Sequence, residues 1–241
     1  MTLKVLIPAA GRGTRAGLPY PKTLFPVHGK PILARILDVV AGYDSMPTVV
    51  ASAEGSEAIS DYLSREGRAI DLIMQERPLG MGDAVLSFNK SSSYMAAEHI
   101  LLLWGDLPFI MPGTIESLVK AHTSGCYDFT FVTKQTKCAY TRVERDAQNR
   151  VIAVRETREE GLSLYQGERD VGLFVFRKRL VMDLLREELP GKRGGSTGEH
   201  GFLYIIRHLV ARGFRVEGLP IAEEIELRSL NHLSDLEMDA S

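Results

Sequence analysis

Val5-Leu6-Ile7-Pro8-Ala9-Ala10-Gly11-Arg12-Gly13-Thr14-Arg15, followed by Pro21-Lys22, decides how this chain is read. Residues 3–8 form a short apolar run of the kind a buried strand needs. Gly11 and Gly13 then punctuate it, and two arginines and a lysine follow within a dozen residues. A buried strand, a glycine turn and cations are what a polyphosphate site requires. Glycine lets the backbone approach a ligand closely. Turn N–H groups and a following helix N-terminus favour anions, and the side-chain cations offset phosphate charge. The commoner phosphate loops do not fit. Gly29-Lys30 is followed by Pro31 and Gly191-Lys192 by Arg193, so neither completes a Walker A loop. Gly11, Gly13 and Gly17 are spaced one residue too far for a dinucleotide fingerprint.

Outward from this stretch, strand-like runs at 48–52, 69–75, 100–104 and 128–134 alternate with helical patterns at 31–42, 56–66, 82–89 and 112–122. Repeated βα units argue an α/β fold: a mostly parallel sheet covered on both faces. In such sheets ligands sit beyond the carboxyl ends of the strands, where Gly11, Gln75 and Asp106 all fall. The second half changes character. Runs at 141–145 and 151–156 bracket Asp146-Ala147-Gln148-Asn149 and read as a hairpin. A strand at 171–176, helices at 180–188 and 202–212, and a strand at 215–219 are expected, with a helical tail from Leu233. Residues 190–201 hold five glycines and read as a mobile loop. The charge-dense stretch 142–160 reads as the solvated face of the hairpin, or in part as the lining of an acceptor pocket.

The chain has 241 residues, 44% hydrophobic and 25% charged, enough for one large domain with a substantial core. A net charge of −2 argues against a broad nucleic-acid surface, so phosphate binding rests on local cations. Cys126 and Cys138 suggest neither a disulfide framework nor a zinc site. No run approaches a membrane span and no signal-peptide layout is present, so a cytoplasmic protein without membrane partners is expected. Oligomeric state is not legible.

A-A-G-x-G-T-R followed by P-K resembles the signature of the sugar-phosphate nucleotidyltransferases, their uridylyltransferase branch most of all. Three later stretches agree in order. Gln75-Glu76-Arg77-Pro78-Leu79-Gly80-Met81-Gly82-Asp83-Ala84 is similar to the base-recognition loop. Leu103-Trp104-Gly105-Asp106-Leu107-Pro108 is similar to the metal-aspartate strand end, and Asn231-His232-Leu233-Ser234-Asp235-Leu236 to the closing motif. The resemblance covers nearly the whole chain and loosens after residue 135. It implies a Rossmann-like nucleotidyltransferase fold with a mixed, mostly parallel sheet, helices on both faces and a small β-rich acceptor subdomain. That would be a single domain over 1–241, with a nucleotide-binding half (1–135) and an acceptor-binding half (136–241).

The implied reaction transfers a nucleoside monophosphate from an NTP, UTP being expected, to a sugar 1-phosphate, with release of pyrophosphate. A phosphate monoester is already anionic near pH 7, its second pKa lying at about 6, so no general base is required. Arg15 would grip the β- and γ-phosphates, Lys22 the α-phosphate, and Asp106 would hold Mg²⁺ with Asn231 as second ligand. An N-cap role is the competing reading of Asn231. Ala9, Ala10, Gly11, Gly13 and Thr14 would cradle the nucleotide, while Arg12 would edge the loop. Gln75 and Gly80 would read the base; Asp83 would approach the ribose or the metal, or simply serve a helix N-terminus.

On the acceptor side Glu156, Asp170 and Gly172 would contact the sugar. Here the sequence departs from the family: Tyr140-Thr141-Arg142 lacks the family's glycine, Asp170 replaces an asparagine, and Gly198-Glu199-His200 replaces a tyrosine. These changes put N-acetylglucosamine 1-phosphate in doubt. The acetyltransferase repeats that often follow such a domain do not appear before Ser241, so acetyl transfer is not expected. A cytidylyl or other NTP transferase acting on a non-sugar phosphate, or a non-catalytic nucleotide-sugar-binding module, remain the alternatives.

Overall fold

The computed structural model describes residues 1–11, 18–77, 79–163 and 165–230. The first strand, β1 (Leu3–Pro8), is followed by a small ribbon of β2 (Pro26–Val27) and β3 (Lys30–Pro31), then α1 (Ile32–Val40), β4 (Thr48–Ser52), α2 (Ala53–Arg65), β5 (Asp71–Gln75), α3 (Met81–Leu86), β6 (His99–Leu103) and α4 (Pro112–Ser124). The second half contributes β7 (Phe129–Ala139), the hairpin β8 (Thr141–Arg145) and β9 (Val151–Glu156), β10 (Tyr165–Arg177), α5 (Lys178–Arg186), α6 (Ile205–Ala211) and β11 (Val216–Leu219).

Seven strands form the central sheet in the order β11-β7-β10-β6-β1-β4-β5. Strands β6, β1, β4 and β5 run parallel, β10 is antiparallel to both β6 and β7, and β11 is parallel to β7. The period-2 alternation of strand side chains splits the core in two. Val5 and Ile7 of β1 face one way, with Leu101 and Leu103 of β6, against α1, α2 and α4. Leu6 and Leu102 face the other way, against α3, α5 and α6 and a cluster of phenylalanines that includes Phe129, Phe174 and Phe176. The mostly parallel, doubly covered sheet expected from the sequence is therefore present. Strand β7 runs across residue 135, so both expected halves share this sheet.

The element reading differs at several boundaries for identifiable reasons. Strands β7 and β10 extend well beyond the apolar runs 128–134 and 171–176. Their outer halves are polar and are held by pairing with each other (Gly167 opposite Thr136, Glu168 opposite Gln135), which hydrophobic periodicity does not register. The bidentate contact of Arg145 with Glu168, at 2.7 Å for both nitrogens, ties the hairpin to that extension. Helix α2 begins earlier than expected because the Ser52 hydroxyl accepts the Gly55 N–H as an N-cap. The loop expected to be mobile, 190–201, is instead tethered along its length, as described below. The expected helical tail from Leu233 lies outside the described residues.

Candidate active site

Strands β1 and β6 are neighbours, and their carboxyl ends meet through glycine. The Gly105 N–H donates to the Pro8 carbonyl at 3.0 Å. A Cβ on Gly105 would fall 2.6 Å from that oxygen and 3.2 Å from the Ala9 Cα, so only glycine allows the approach. Asp106 follows directly. Lys22 arrives from the other side on a short 3₁₀ turn, Lys22–Leu24, entered through Pro21. Its ammonium donates to Asp106 Oδ2 at 2.6 Å and to the Leu230 carbonyl at 3.2 Å, and the Leu230 N–H in turn donates to the Asp106 carbonyl at 3.2 Å. A Cβ on Gly11 would lie 2.9 Å from the Lys22 Cε, so Gly11 leaves the channel this lysine runs through. Ala9 is buried, and its N–H donates to the Val50 carbonyl of β4 at 2.7 Å, while Ala10 and Gly11 open towards solvent. Sequence positions 22, 106 and 230 thus meet around one ion pair. Arg12, Gly13, Thr14, Arg15 and Asn231, all expected here, lie outside the described residues.

Gln75 ends β5, on the same edge of the sheet and three strands from β6, or about 14 Å at the usual ~4.8 Å per strand. It is buried, and its amide nitrogen donates to Asp83 at 2.7 Å. Asp83 therefore orients Gln75 and leaves the Gln75 carbonyl oxygen as the free acceptor. Gly80 caps α3 with φ +109, and a Cβ there would lie 2.4 Å from the His200 carbonyl. The turn is stitched to that distant segment: His200 N–H donates to Leu79 O at 2.7 Å, and Gly82 N–H to His200 O at 2.9 Å.

The residues expected on the acceptor side lie on β9 and β10. Glu156 is half-buried at the end of β9 and its carboxyl is raised to about 7, first by burial and then by the carboxylates of Asp170, Glu159, Glu160 and Glu199. Asp170 was expected to touch the acceptor, but it is fully buried and both its oxygens are engaged. Oδ1 accepts the Thr141 hydroxyl at 2.5 Å, and Oδ2 accepts the Gly172 N–H at 3.0 Å. Burial raises its pKa, with the Arg169 charge opposing. Asp170 therefore holds the turn at Thr141 and the bend at Gly172 instead of facing solvent. Gly172, at φ +85, passes against Trp104, where a Cβ would come within 2.7 Å of the ring, and its carbonyl accepts the Trp104 N–H.

Arg169 was not singled out from sequence. It is buried, donates to the Tyr140 hydroxyl and stacks its guanidinium 3.6 Å from that ring's centroid. Burial raises the Tyr140 pKa, and Asp106 lies near enough to add to the effect. The replaced glycine of the Tyr140-Thr141-Arg142 turn was the available signal that this corner is built differently. Beside it, Glu156, Glu199, His200, Gly201, Tyr204 and Arg207 line much of a cavity of about 130 Å³. Burial lowers the His200 pKa to about 4 and raises that of Tyr204 to about 12, so both are neutral at pH 7.

A model of the MobA-like NTP transferase domain matches residues 5–197, most of the chain. The chain belongs to this family. It is similar to the bifunctional protein GlmU of Thermodesulfovibrio yellowstonii, at 26% identity over 98% of this chain and 51% of that protein. It is also similar to GlmU of Alcanivorax borkumensis, at 29% identity over 96% of the chain and 50% of the relative. The chain therefore spans about half the length of the curated relatives it matches. A structure described as a glucose-1-phosphate thymidylyltransferase of Bacillus anthracis shares the fold, with a TM-score of 0.68 at 15% identity, covering 90% of this chain and 85% of that one. The expected nucleotidyltransferase class and Rossmann-like α/β fold stand at that level. No described helix is long and apolar enough to cross a membrane.

Proposed function

We propose that the chain transfers a nucleoside monophosphate from UTP to a sugar 1-phosphate and releases pyrophosphate. The observation that carries the reading is the Lys22–Asp106 pair at the joined ends of β1 and β6, with two glycines cleared around it. Lys22 is a cation at the place where a phosphate chain laid over the Gly11 turn would end. In this reading it moves from Asp106 to the α-phosphate when nucleotide binds, and it stabilises the charge that develops as pyrophosphate leaves. The attacking phosphate is already ionised, so the reaction needs no general base at this centre. Arg15 holds the leaving phosphates in the same reading.

The residues suit Mg²⁺. Among the described residues no three histidines, cysteines or carboxylates cluster as a metal cage. Magnesium takes one or two carboxylates and fills the rest of its shell with water and phosphate oxygens. Asp106 supplies one such oxygen, already matched to a cation by Lys22, and Asn231 would supply a second. When bound, the metal neutralises phosphate charge and orients the two substrates.

Gln75, held by Asp83 with its carbonyl free, supports a pyrimidine that offers a donor to that oxygen. Uracil does so through N3–H and cytosine through its amino group, so CTP is the second reading. Glu156 and the neighbouring cavity support a neutral sugar phosphate over an acidic one. The test is a screen of the four nucleoside triphosphates against a library of sugar, polyol and amino-alcohol phosphates, scored by pyrophosphate release. UTP with a neutral sugar 1-phosphate is the expected pair. Release that persists undiminished in Lys22→Ala would overturn the assignment of this centre, and no release from any pair would favour a binding module.

A further inference from the structure

In the segment 191–201, Gly194 and Gly195 make room for a specific anchor. Glu159 stands just beyond β9, and its Oε2 accepts three hydrogen bonds: from Ser196 N–H at 3.1 Å, Thr197 N–H at 3.0 Å and the Thr197 hydroxyl at 3.2 Å. The Glu159 carbonyl accepts Gly195 N–H at 3.1 Å. A Cβ on Gly194 would sit 2.2 Å from Oε2, and one on Gly195 2.6 Å from the carbonyl oxygen, so both positions admit the anchor only as glycine. The segment then closes on itself: Gly194 N–H donates to Glu199 O, Gly198 N–H to Gly194 O, and Gly201 N–H to Lys192 O. Its far end is the His200 junction with the turn that follows Gln75.

A strap tied at both ends therefore spans from Glu159 to the base-reading turn. Beneath it lies the 130 Å³ cavity, with Glu156 in its wall. Gly201 stands in the same wall, beside Glu156 and Tyr204. An engineered cavity of about 150 Å³ in another protein holds benzene, so this one takes a group of about half a dozen heavy atoms.

We propose that Glu159 is a positioning residue: by pinning the strap over the cavity that the transferase reading gives to the acceptor, it sets acceptor affinity. The inference rests on the transferase reading above. With Glu156 and Glu199 in the wall, the group taken is a hydrogen-bond donor, a hydroxyl or an ammonium, and not a carboxylate. Glu159 spends its carboxylate on the strap and is not itself asked to touch substrate. Because the strap also meets the base-reading turn, nucleotide and acceptor share one wall.

The experiment compares wild type, Glu159→Ala and Glu159→Gln. Amide hydrogen exchange over 191–201 is followed with no substrate, with UTP, and with UTP plus glucose 1-phosphate, glucosamine 1-phosphate or glucuronic acid 1-phosphate. UTP affinity is measured by calorimetry, and KM and kcat by pyrophosphate release. In Glu159→Ala the strap should exchange faster and the KM for the first two sugar phosphates should rise about tenfold or more, a change of ~1.4 kcal/mol. UTP affinity and kcat should stay close to wild type. Glutamine keeps an accepting oxygen and should restore most of the affinity. Glucuronic acid 1-phosphate should neither react nor protect the strap. A faster-exchanging strap with an unchanged acceptor KM overturns the proposal, as does a wild-type strap that no sugar phosphate protects. Protection by a sugar phosphate without pyrophosphate release would instead sink the transferase reading and leave the role of Glu159 standing.

Discussion

Glu156→Gln should make the protein more stable at pH 8 and leave it nearly unchanged below pH 4.5. The folded carboxyl titrates at about 7, against an ordinary 4.5. The folded state therefore holds its proton more tightly than the unfolded chain does, and stability from this group is full below 4.5 and lost as pH rises through about 7. At ~1.4 kcal/mol per pH unit the displacement corresponds to roughly 3 kcal/mol, and solvent at the cavity mouth screens part of it, leaving about 2 kcal/mol. For a domain of this size that is about 4–8 °C in Tm. Glutamine has nearly the same shape without the charge, so it escapes the penalty above pH 7. The assay is a set of thermal melts of wild type and variant from pH 4.5 to 8.5, read as the difference at each pH. Taking the difference matters because His122 and His200 pull the other way. Burial lowers both to about 4, so their contribution is full above 6.5 and lost as pH falls towards 4. Those terms are common to both proteins and cancel. A Tm difference that stays flat across the range, or a variant less stable at pH 8, would refute the picture of a carboxylate crowded by Asp170, Glu159, Glu160 and Glu199.

Further outcomes follow from the same geometry. Lys22→Ala should lower turnover by about 10²–10³, the scale of a lost preorganised donor, while melting close to wild type; steady-state pyrophosphate release measures it, and full activity would refute its role. Asp106→Asn should weaken the dependence of activity on magnesium, and an unchanged metal titration would count against that carboxylate. Gly105→Ala forces a Cβ to within 2.6 Å of the Pro8 carbonyl, which should cost about 1–3 kcal/mol and displace Asp106; a wild-type melting curve would contradict the close approach of β1 and β6. His122 bonds His99 at 2.8 Å and Thr130 at 2.9 Å in the core. His122→Gln should melt lower at pH 7 yet lose less stability between pH 6.5 and 4.5, and an equally steep acid loss would show that another group carries it.

The first half of the chain was legible because its signals are local. Apolar runs with the right length and period gave β1, β4, β5 and β6 and the helices between them. The same runs put Gly11, Gln75 and Asp106 at or beyond the carboxyl ends of strands, and the structure has all three there. The polar extensions of β7 and β10 were not legible, since pairing with each other holds them and neither strand carries that information alone. Asp170 reads as a ligand-facing carboxylate in sequence, yet it lies fully inside, bonded to Thr141 and Gly172. The glycines of 191–201 suggested mobility because glycine frees the backbone. Only the fold shows that Gly194 and Gly195 are there so that Glu159, more than thirty residues away, can dock.

The sequence by itself determined the family and the doubly covered α/β sheet, because each depends on residue types at short, fixed separations. Tertiary structure alone decided which oxygens Lys22 meets, how Gln75 is turned, and what Glu159 holds. Those depend on contacts across 84 residues between Lys22 and Asp106 or 37 between Glu159 and Ser196, and the energy of such contacts exists only once the sheet has brought their partners together.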